Sequence, residues 1–215
     1  MVQSLRLGLL SLLPLLAAGS ALAQTAHADG APQLIRLAAK SGAAPRQLPP
    51  DNRQLLRQEL SLRPTDDLRP LRTETDERGE LHERFQQYFK GVKVEHGQYT
   101  VHRAAGLLSG EFKPVPATLS TTPGLSEAAA LRMALAAVGA HRYLWEDAAA
   151  EAGLRRISQD AKATYRPSGE LVVVADYRQG GAAGPLVLAW KFRSCVRSVD
   201  SQKKKCAINK VIRPS

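Results

Sequence analysis

The string His82-Glu83 begins the pattern His-Glu-x-x-His, in which two histidines four residues apart on one face of a helix bind a zinc ion. The pattern is not completed, because Gln stands at position 86 and the segment alternates between polar and apolar residues as a strand does. A catalytic zinc site of this kind is therefore missing from the sequence, and we predict that the chain holds no metal.

The five histidines of the chain are His27, His82, His96, His102 and His141. A metal site made from His82, His96 and His102 would require these side chains to converge across neighbouring strands. No carboxylate or thiolate completes a recognisable ligand pattern beside them. Ordinary hydrogen bonds on a sheet face or in a turn are therefore the favoured role of these histidines.

Two other catalytic patterns are also missing. The sequence has no Gly-x-Ser-x-Gly elbow and no Gly-rich loop that ends in Lys-Ser or Lys-Thr. The glycines from Gly180 to Gly184 join two predicted strands, which is typical of a hairpin. We predict that the chain is not an enzyme and needs no cofactor.

Long hydrogen-bonding side chains on one strand are the remaining functional candidates. The strand lies between the turn signals Glu77-Arg78-Gly79 and Lys90-Gly91. Its alternation sets Leu81, Phe85 and Phe89 on a face that we expect to be buried. The other face carries His82, Arg84, Gln86 and Tyr88. So many polar groups cannot be buried unpaired, so that face either is solvated or docks on a partner. Gln87 falls on the face opposite Arg84.

The two cysteines, Cys195 and Cys206, are a possible disulfide pair, because the chain is predicted to enter an oxidising compartment. A bridge would close a loop of twelve residues, with an entropic benefit of about 3 kcal/mol in the chain-entropy model. The alternative is a pair of free thiols in a disordered end.

The elements that would position these residues are those of an α+β protein. A short helix is predicted from Asp51, its N-cap, to Leu60, followed by an antiparallel meander from Leu71 to Phe112. Ser126 caps a helix that ends at Gly139, with an apolar stripe of Ala128, Leu131, Leu135 and Val138. A second helix is predicted from Glu146 to Ser158, with Ala148, Ala152 and Leu154 toward the core. Strands then follow over 170–177 and 186–193.

The first residues have the features of a secretory signal peptide. Arg6 precedes an apolar run from Leu7 to Ala18, and Ala21-Leu22-Ala23 is a small-x-small cleavage pattern, so we expect the mature chain to begin at Gln24. The run is shorter than the roughly 18 to 20 residues of a membrane span, so no transmembrane helix is predicted. The alternative is a signal anchor that is never cleaved. Residues 24–50 are predicted to be a flexible leader.

The formal charge of +10 is concentrated at one end of the chain. From Lys191 to Ser215 eight Lys or Arg residues stand against one acid, so this segment carries +7 of the total. A nucleic-acid-binding module interleaves aromatic residues with basic ones, whereas this segment has only Phe192. Nucleic acid is therefore an unlikely partner, and the Lys203-Lys204-Lys205 run is interpreted as a solvated turn rather than a polyanion site.

Residues 81–102 resemble the fungalysin/thermolysin propeptide domain. The matching positions are Arg84, Gln87, Tyr88, Lys90, Gly91, Val92, Val94, Tyr99, Val101 and His102. The following segment is similar to a PepSY-like module through the helix start at Ser126, Tyr143-Leu144-Trp145-Glu146, Pro167 to Leu171, and Leu188 to Phe192. The similarity fades after Phe192, where Cys195 and the Lys run stand instead of the family's next strand pair.

The resemblance implies a propeptide-like domain (51–113) and a PepSY-like domain (114–193). The residues themselves predict the signal peptide (1–23) and flexible leader (24–50) before these domains and a basic C-terminal hairpin or tail (194–215) after them. The resemblance also implies a secreted or periplasmic, noncatalytic prosegment, either a chaperone and inhibitor of a thermolysin-like zinc metallopeptidase or part of a truncated or split precursor of one. The partner-binding candidates are then Arg84, Gln86, Gln87, Tyr88 and His102. The alternative function is a free-standing exported adaptor that keeps the fold and binds another protein.

Overall fold

A computed structural model describes residues 34–37, 48–140, 142–177, 184–197 and 204–212, with side chains at most of these positions but not in the last range. Within these ranges the chain is α+β, with three α-helices packed on a sheet of eight strands. The helices are α1 (Asn52–Glu59), α2 (Glu127–Val138) and α3 (Ala148–Ser158). The strands are β1 (Leu34–Arg36), β2 (Asp66–Thr75), β3 (Leu81–Phe89), β4 (Val92–His102), β5 (Leu107–Glu111), β6 (Gly169–Ala175), β7 (Leu186–Arg197) and β8 (Lys204–Ile212).

Strands β2 to β5 form the antiparallel meander that the sequence predicts, with β1 added beside β5. The Lys90-Gly91 turn is confirmed, and both of its residues have positive φ, 46° and 82°, as a tight hairpin requires. The sheet continues into the second half of the chain, because β4 pairs in parallel with β6 at Val94 and Val173. Antiparallel strands β7 and β8 complete it.

Helix α1 covers one face of the meander. The Asp51 side chain accepts a hydrogen bond from Arg53 N, as the predicted N-cap should. Leu55 and Leu56 are fully buried. They belong to a core cluster with Leu37, Leu68, Phe85, Tyr99, Val101, Leu108 and Phe112. This packing fixes which face of the meander is interior.

Two predictions about the first half are wrong. Residues 34–37 were expected in a flexible leader, yet Leu34–Arg36 is strand β1, because Ile35 and Leu37 pack against the core cluster. Leu81 was expected on the buried face of β3, but it is 61% exposed at the end of the strand, where it pairs with the exposed Thr75. The remaining leader residues, the signal peptide and its cleavage position at Ala23 and Gln24 lie outside the described residues.

Helix α2 begins at the predicted N-cap, Ser126, and ends at Gly139 in the left-handed conformation. Its buried residues are Ala130 and Ala134, which pack against Phe192 of β7. Of the predicted stripe, Leu131 packs against this cluster, Leu135 and Val138 are partly buried, and Ala128 is exposed.

Helix α3 begins two residues later than predicted, because Leu144–Glu146 is a 3-10 turn and Asp147 caps the helix. Its inward residues are Ala150 and Glu151, whereas Ala148 and Ala152 are exposed. The buried Glu151 carboxylate is satisfied, since it accepts hydrogen bonds from Tyr165 N at 2.7 Å and from Arg155 at 3.0 Å. None of the helices in the described part of the chain is both long and apolar enough to cross a membrane.

Candidate functional site: a polar sheet face

The meander face opposite α1 carries polar side chains on four neighbouring strands. We call it the polar face and define it by Arg72 and Glu74 of β2, His82, Arg84 and Tyr88 of β3, Gln98, Thr100 and His102 of β4, and Ser109 of β5. Cross-strand register sets Arg84 opposite both Arg72 and Thr100, and directly opposed residues share a face. All nine side chains are at least partly exposed. The polar face is therefore available to a partner.

Gln86 does not belong to the available surface, which corrects the prediction that it is solvated or docks on a partner. Its side chain is only 3% exposed. The Nε2 atom donates to the backbone carbonyls of Val94 at 2.7 Å, Gly97 at 2.9 Å and Gln87 at 3.1 Å. Gln98 donates in turn to Gln86 Oε1 at 3.2 Å.

A bulge in β4 explains this arrangement. Gln86 pairs with Gln98 and Tyr88 pairs with Lys93, so residues 94–97 of β4 stand opposite the single residue Gln87. A bulge of this size removes carbonyls from the strand ladder, and buried carbonyls require donors. The buried side-chain amide of Gln86 supplies donors to the carbonyls of Val94 and Gly97 in this bulge. Gly97, an unusual residue inside a strand, is the sequence feature that indicates the bulge.

Gln87 is fully buried on the other face and is likewise unavailable to a partner. Its Oε1 accepts from Lys113 N at 2.9 Å and its Nε2 donates to Lys113 O at 2.7 Å. This two-bond contact attaches the end of the meander to the connector that follows. Gln86 and Gln87 are therefore framework residues that position their exposed neighbours.

Arg84 lies at the centre of the polar face with few partners of its own. Its Nε is buried and has no hydrogen-bond partner among the described residues. Its Nη2 is 4.0 Å from Glu74, whereas Glu74 is 2.9 Å from Arg72 Nε. Glu74 therefore forms ion pairs with two arginines that stand opposite each other, and the positive charges of these arginines repel. The centre of the polar face has an excess of positive charge and a side chain that few hydrogen bonds hold in place.

Tyr88 lies at one end of the polar face. The guanidinium carbon of Arg69 lies 4.1 Å from the centre of the Tyr88 ring, in cation–π contact. The ring is thereby held on the sheet while it remains partly exposed.

At the other end, His82 and His102 contact each other directly. Their Nδ1 atoms are 2.8 Å apart, and the rings meet edge to face with centroids at 4.7 Å. His82 Nε2 lies 3.1 Å from Asp76 Oδ2, and His102 Nε2 lies 2.8 Å from Ser109 Oγ. Burial, together with the charges of His82 and Arg84, lowers the pKa of His102 against the opposing effect of Glu80. Of the two rings, only His102 was among the predicted partner-binding residues, although His82 was predicted to lie on the same strand face as Arg84.

A charged cluster joins the meander to the second half of the sheet and was not predicted. Lys191 Nζ of β7 lies 3.0 Å from both carboxylate oxygens of Glu95, and Lys93 Nζ lies 3.2 Å from one of them. Although burial disfavours its charged form, these two lysines hold the pKa of Glu95 below its usual range. In the part of the chain that the structure describes, no group of three or more His, Cys, Asp or Glu side chains could hold a metal ion.

The register of β7 with β8 sets the backbone of Cys206 directly opposite Cys195. The bridge between these two cysteines stays a prediction, because the described residues do not include the Cys206 side chain.

Residues 66–109 match the family model described as Fungalysin/Thermolysin Propeptide Motif. The match runs from the start of β2 into β5 and includes every residue of the polar face. No curated protein matches the chain. A propeptide domain is noncatalytic in itself and implies association with a peptidase catalytic domain. The match therefore indicates a prosegment role beside a thermolysin-like peptidase, a class whose secreted members suggest an extracellular location.

Proposed function

We propose that this chain is a folding chaperone and inhibitor of a thermolysin-like zinc metallopeptidase, and that it docks on the catalytic domain through the polar face. The observation that carries the proposal is the position of that face: it lies entirely within the residues that match the propeptide motif, opposite the face that α1 covers. A surface of this kind needs no reactive residue.

The two activities follow from one preference in binding. A chain that binds the native peptidase domain and its folding transition state more tightly than the unfolded domain stabilises both, so it accelerates folding and also occupies the native surface. A rigid binding surface loses less entropy on docking. The buried amides of Gln86 and Gln87 support this role, because they fix the bulge and the strand end beneath the polar face.

Arg84 is the side chain that we assign to the central contact. The peptidase group that fits it is a carboxylate, because a planar guanidinium binds a carboxylate through two parallel hydrogen bonds. The single shared carboxylate of Glu74 leaves the Arg84–Arg72 pair short of negative charge. Docking of an acidic side chain would supply that charge. Tyr88 and His102 flank this contact.

The test uses a thermolysin-like peptidase encoded in the same genome. At micromolar concentration the purified chain should raise the refolding yield of the unfolded peptidase and slow peptide hydrolysis by the folded one. Arg84→Gln should weaken inhibition by about tenfold or more, the equivalent of one charged hydrogen-bonded contact. Arg156→Gln, at an exposed position on α3, is the matched control and should inhibit like the unaltered chain.

If the unaltered chain changes neither refolding nor hydrolysis, the proposal fails and the adaptor function takes its place. If Arg84→Gln inhibits as well as the Arg156→Gln control, the assignment of Arg84 fails while the docking proposal stands.

The finer organisation is part of the same proposal. We infer export by a signal peptide over residues 1–23, a division between a propeptide-like unit (51–113) and a PepSY-like unit (114–193), and a Cys195–Cys206 bridge in the basic C-terminal segment. Mass spectrometry of the exported protein should find Gln24 at the N-terminus and a mass 2 Da below that of the reduced chain, the mass of two hydrogens. A retained leader or two free thiols would contradict these assignments.

A further inference from the structure

Four side chains from four different segments form a continuous row of hydrogen bonds at one end of the polar face. The row runs from Asp76, in the turn after β2, through His82 of β3 and His102 of β4 to Ser109 of β5, with distances of 3.1, 2.8 and 2.8 Å. It therefore connects the β2–β3 turn to the last strand of the meander, across every strand between them.

The direction of these bonds follows from their chemistry. An ionised carboxylate only accepts hydrogen bonds, so His82 Nε2 carries the hydrogen that points to Asp76. In the neutral ring His82 Nδ1 then accepts, and His102 Nδ1 must donate to it. The remaining nitrogen, His102 Nε2, accepts from the hydroxyl of Ser109. With both rings neutral, every polar atom in the row is satisfied.

Protons from the solvent change this row in two steps. With one added proton the row can still be satisfied, because one Nδ1 can donate to the other while His102 Nε2 donates to Ser109 Oγ. A second proton leaves both Nδ1 atoms bearing hydrogens at a separation of 2.8 Å. No tautomer relieves that contact, and two positive charges then face each other, so the rings must separate.

Burial, together with the charges of His82 and Arg84, makes the second proton unfavourable in the folded chain, although three carboxylates also lie near the pair. Arg84 lies beside the pair on β3, Glu74 of β2 stands opposite His82, and Asp76 and Glu80 belong to the neighbouring turn. The β5 residues against His102 are Leu107 and Ser109, neither of them charged. The pKa of His102 accordingly lies below 6.5, lowered by burial and by the charges of His82 and Arg84.

The sign of the pH effect follows. The unfolded chain binds a proton at His102 more readily than the folded chain does. The stability linked to His102 is therefore complete above about pH 6.5 and is lost as the pH falls through the lower folded value.

We propose that the His82–His102 pair is a pH-sensitive contact at one end of the polar face. The two rings stay hydrogen-bonded at neutral pH, where they link the side chains at the end of the meander, and they separate in acid. Separation breaks the side-chain link from the β2–β3 turn to β4 and β5, while the backbone pairing of these strands remains, and it disturbs the polar face at Arg84, the next polar-face position along β3. If the chain docks on a peptidase, as the function proposed above requires, acid would weaken the complex and release the catalytic domain.

The first experiment uses the free chain and needs no peptidase. Thermal unfolding midpoints between pH 8 and pH 5 are compared for the unaltered chain, His102→Asn and His96→Asn. Asn at 102 keeps a donor near the Nδ1 position but cannot take a second proton. His96 is the matched control: it lies on the same strand, is exposed, and has a φ of 63° that Asn tolerates.

Between pH 7 and pH 5 the thermal unfolding midpoint should fall in all three chains. The fall should be larger by about 2–4 °C in the unaltered chain and in His96→Asn than in His102→Asn. A pH profile of His102→Asn that parallels that of the unaltered chain would overturn the proposal. If His102→Asn does not fold, the fallback is the histidine ring NMR spectrum of the unaltered chain, which should show His82 and His102 losing their mutual hydrogen bond on acidification. A bond that persists at pH 5 would also overturn it.

The second experiment measures dissociation of the peptidase complex over the same pH range. About tenfold faster dissociation at pH 5 than at pH 7 for the unaltered chain, and not for His102→Asn, supports the regulatory role. Equal acceleration in both chains overturns that role. The stability profile of the free chain stands apart from this result, so a failure of docking and a failure of the histidine closure are distinguishable.

Discussion

Replacing Gln86 with methionine tests whether the buried amide holds the β4 bulge. Methionine has nearly the same volume, so little cavity or overpacking cost arises. The amide has two hydrogens, shared among three carbonyl oxygens at 2.7 to 3.1 Å. Gln86→Met therefore removes the side-chain donor from at least two of these carbonyls. At about 1–3 kcal/mol for each buried group left unsatisfied, relaxation included, we expect a loss of about 2–4 kcal/mol in the free energy of unfolding.

The measurement is urea unfolding at neutral pH followed by far-ultraviolet circular dichroism, with the denaturant slope unchanged. The matched control is Gln98→Met, because Gln98 is partly exposed and donates only one bond, at 3.2 Å, to Gln86 Oε1. It should cost less than about 1 kcal/mol. A Gln86→Met variant within about 0.5 kcal/mol of the unaltered chain, or equal to Gln98→Met, would refute the reasoning.

Two further predictions concern the same region. In Gly97→Ala the new Cβ would lie 2.9 Å from Gln87 Cβ, so we expect the free energy of unfolding, measured in urea, to fall by about 1–3 kcal/mol. The control Gly153→Ala, where the new Cβ meets open space on α3, should be neutral or stabilising. Equal effects of the two substitutions would contradict the clash. Lys191→Met removes the closer cation of Glu95 and should cost about 1–3 kcal/mol at pH 7. The pKa of Glu95 is depressed, so this difference should shrink as the pH falls below about 4.5 through the folded value; a difference independent of pH would exclude the ion pair as its cause.

Local patterns predicted the elements of this chain well. The caps at Asp51 and Ser126, the left-handed end at Gly139 and the Lys90-Gly91 turn all depend on residues close together in sequence, and each is found where expected. The α+β class follows from these elements, and the propeptide resemblance is supported over residues 66–109.

What the sequence did not reveal depends on distant pairing. Strand alternation assigns Gln86 to an open face, but the backbone of the β4 bulge buries its side chain. The sequence signal for the bulge, Gly97, lies on the neighbouring strand, so it identifies Gln86 only once the strand register is known. The row through His82 and His102 requires the register of two strands to be known. Strand β1 has only three residues, and its order comes from contacts with a core formed by residues far along the chain.

The parallel pairing of β4 with β6 has a consequence for the order of assembly. The hairpins of the meander join neighbouring residues and can close early, whereas residues 93 and 172 can pair only after the long segment between them has been synthesised and its loop has closed. Until then one end of β4 keeps an unpaired strand edge, beside the apolar side chains of Phe89 and Val94. During synthesis, which proceeds from the N-terminus, this edge is exposed to mispairing with another chain.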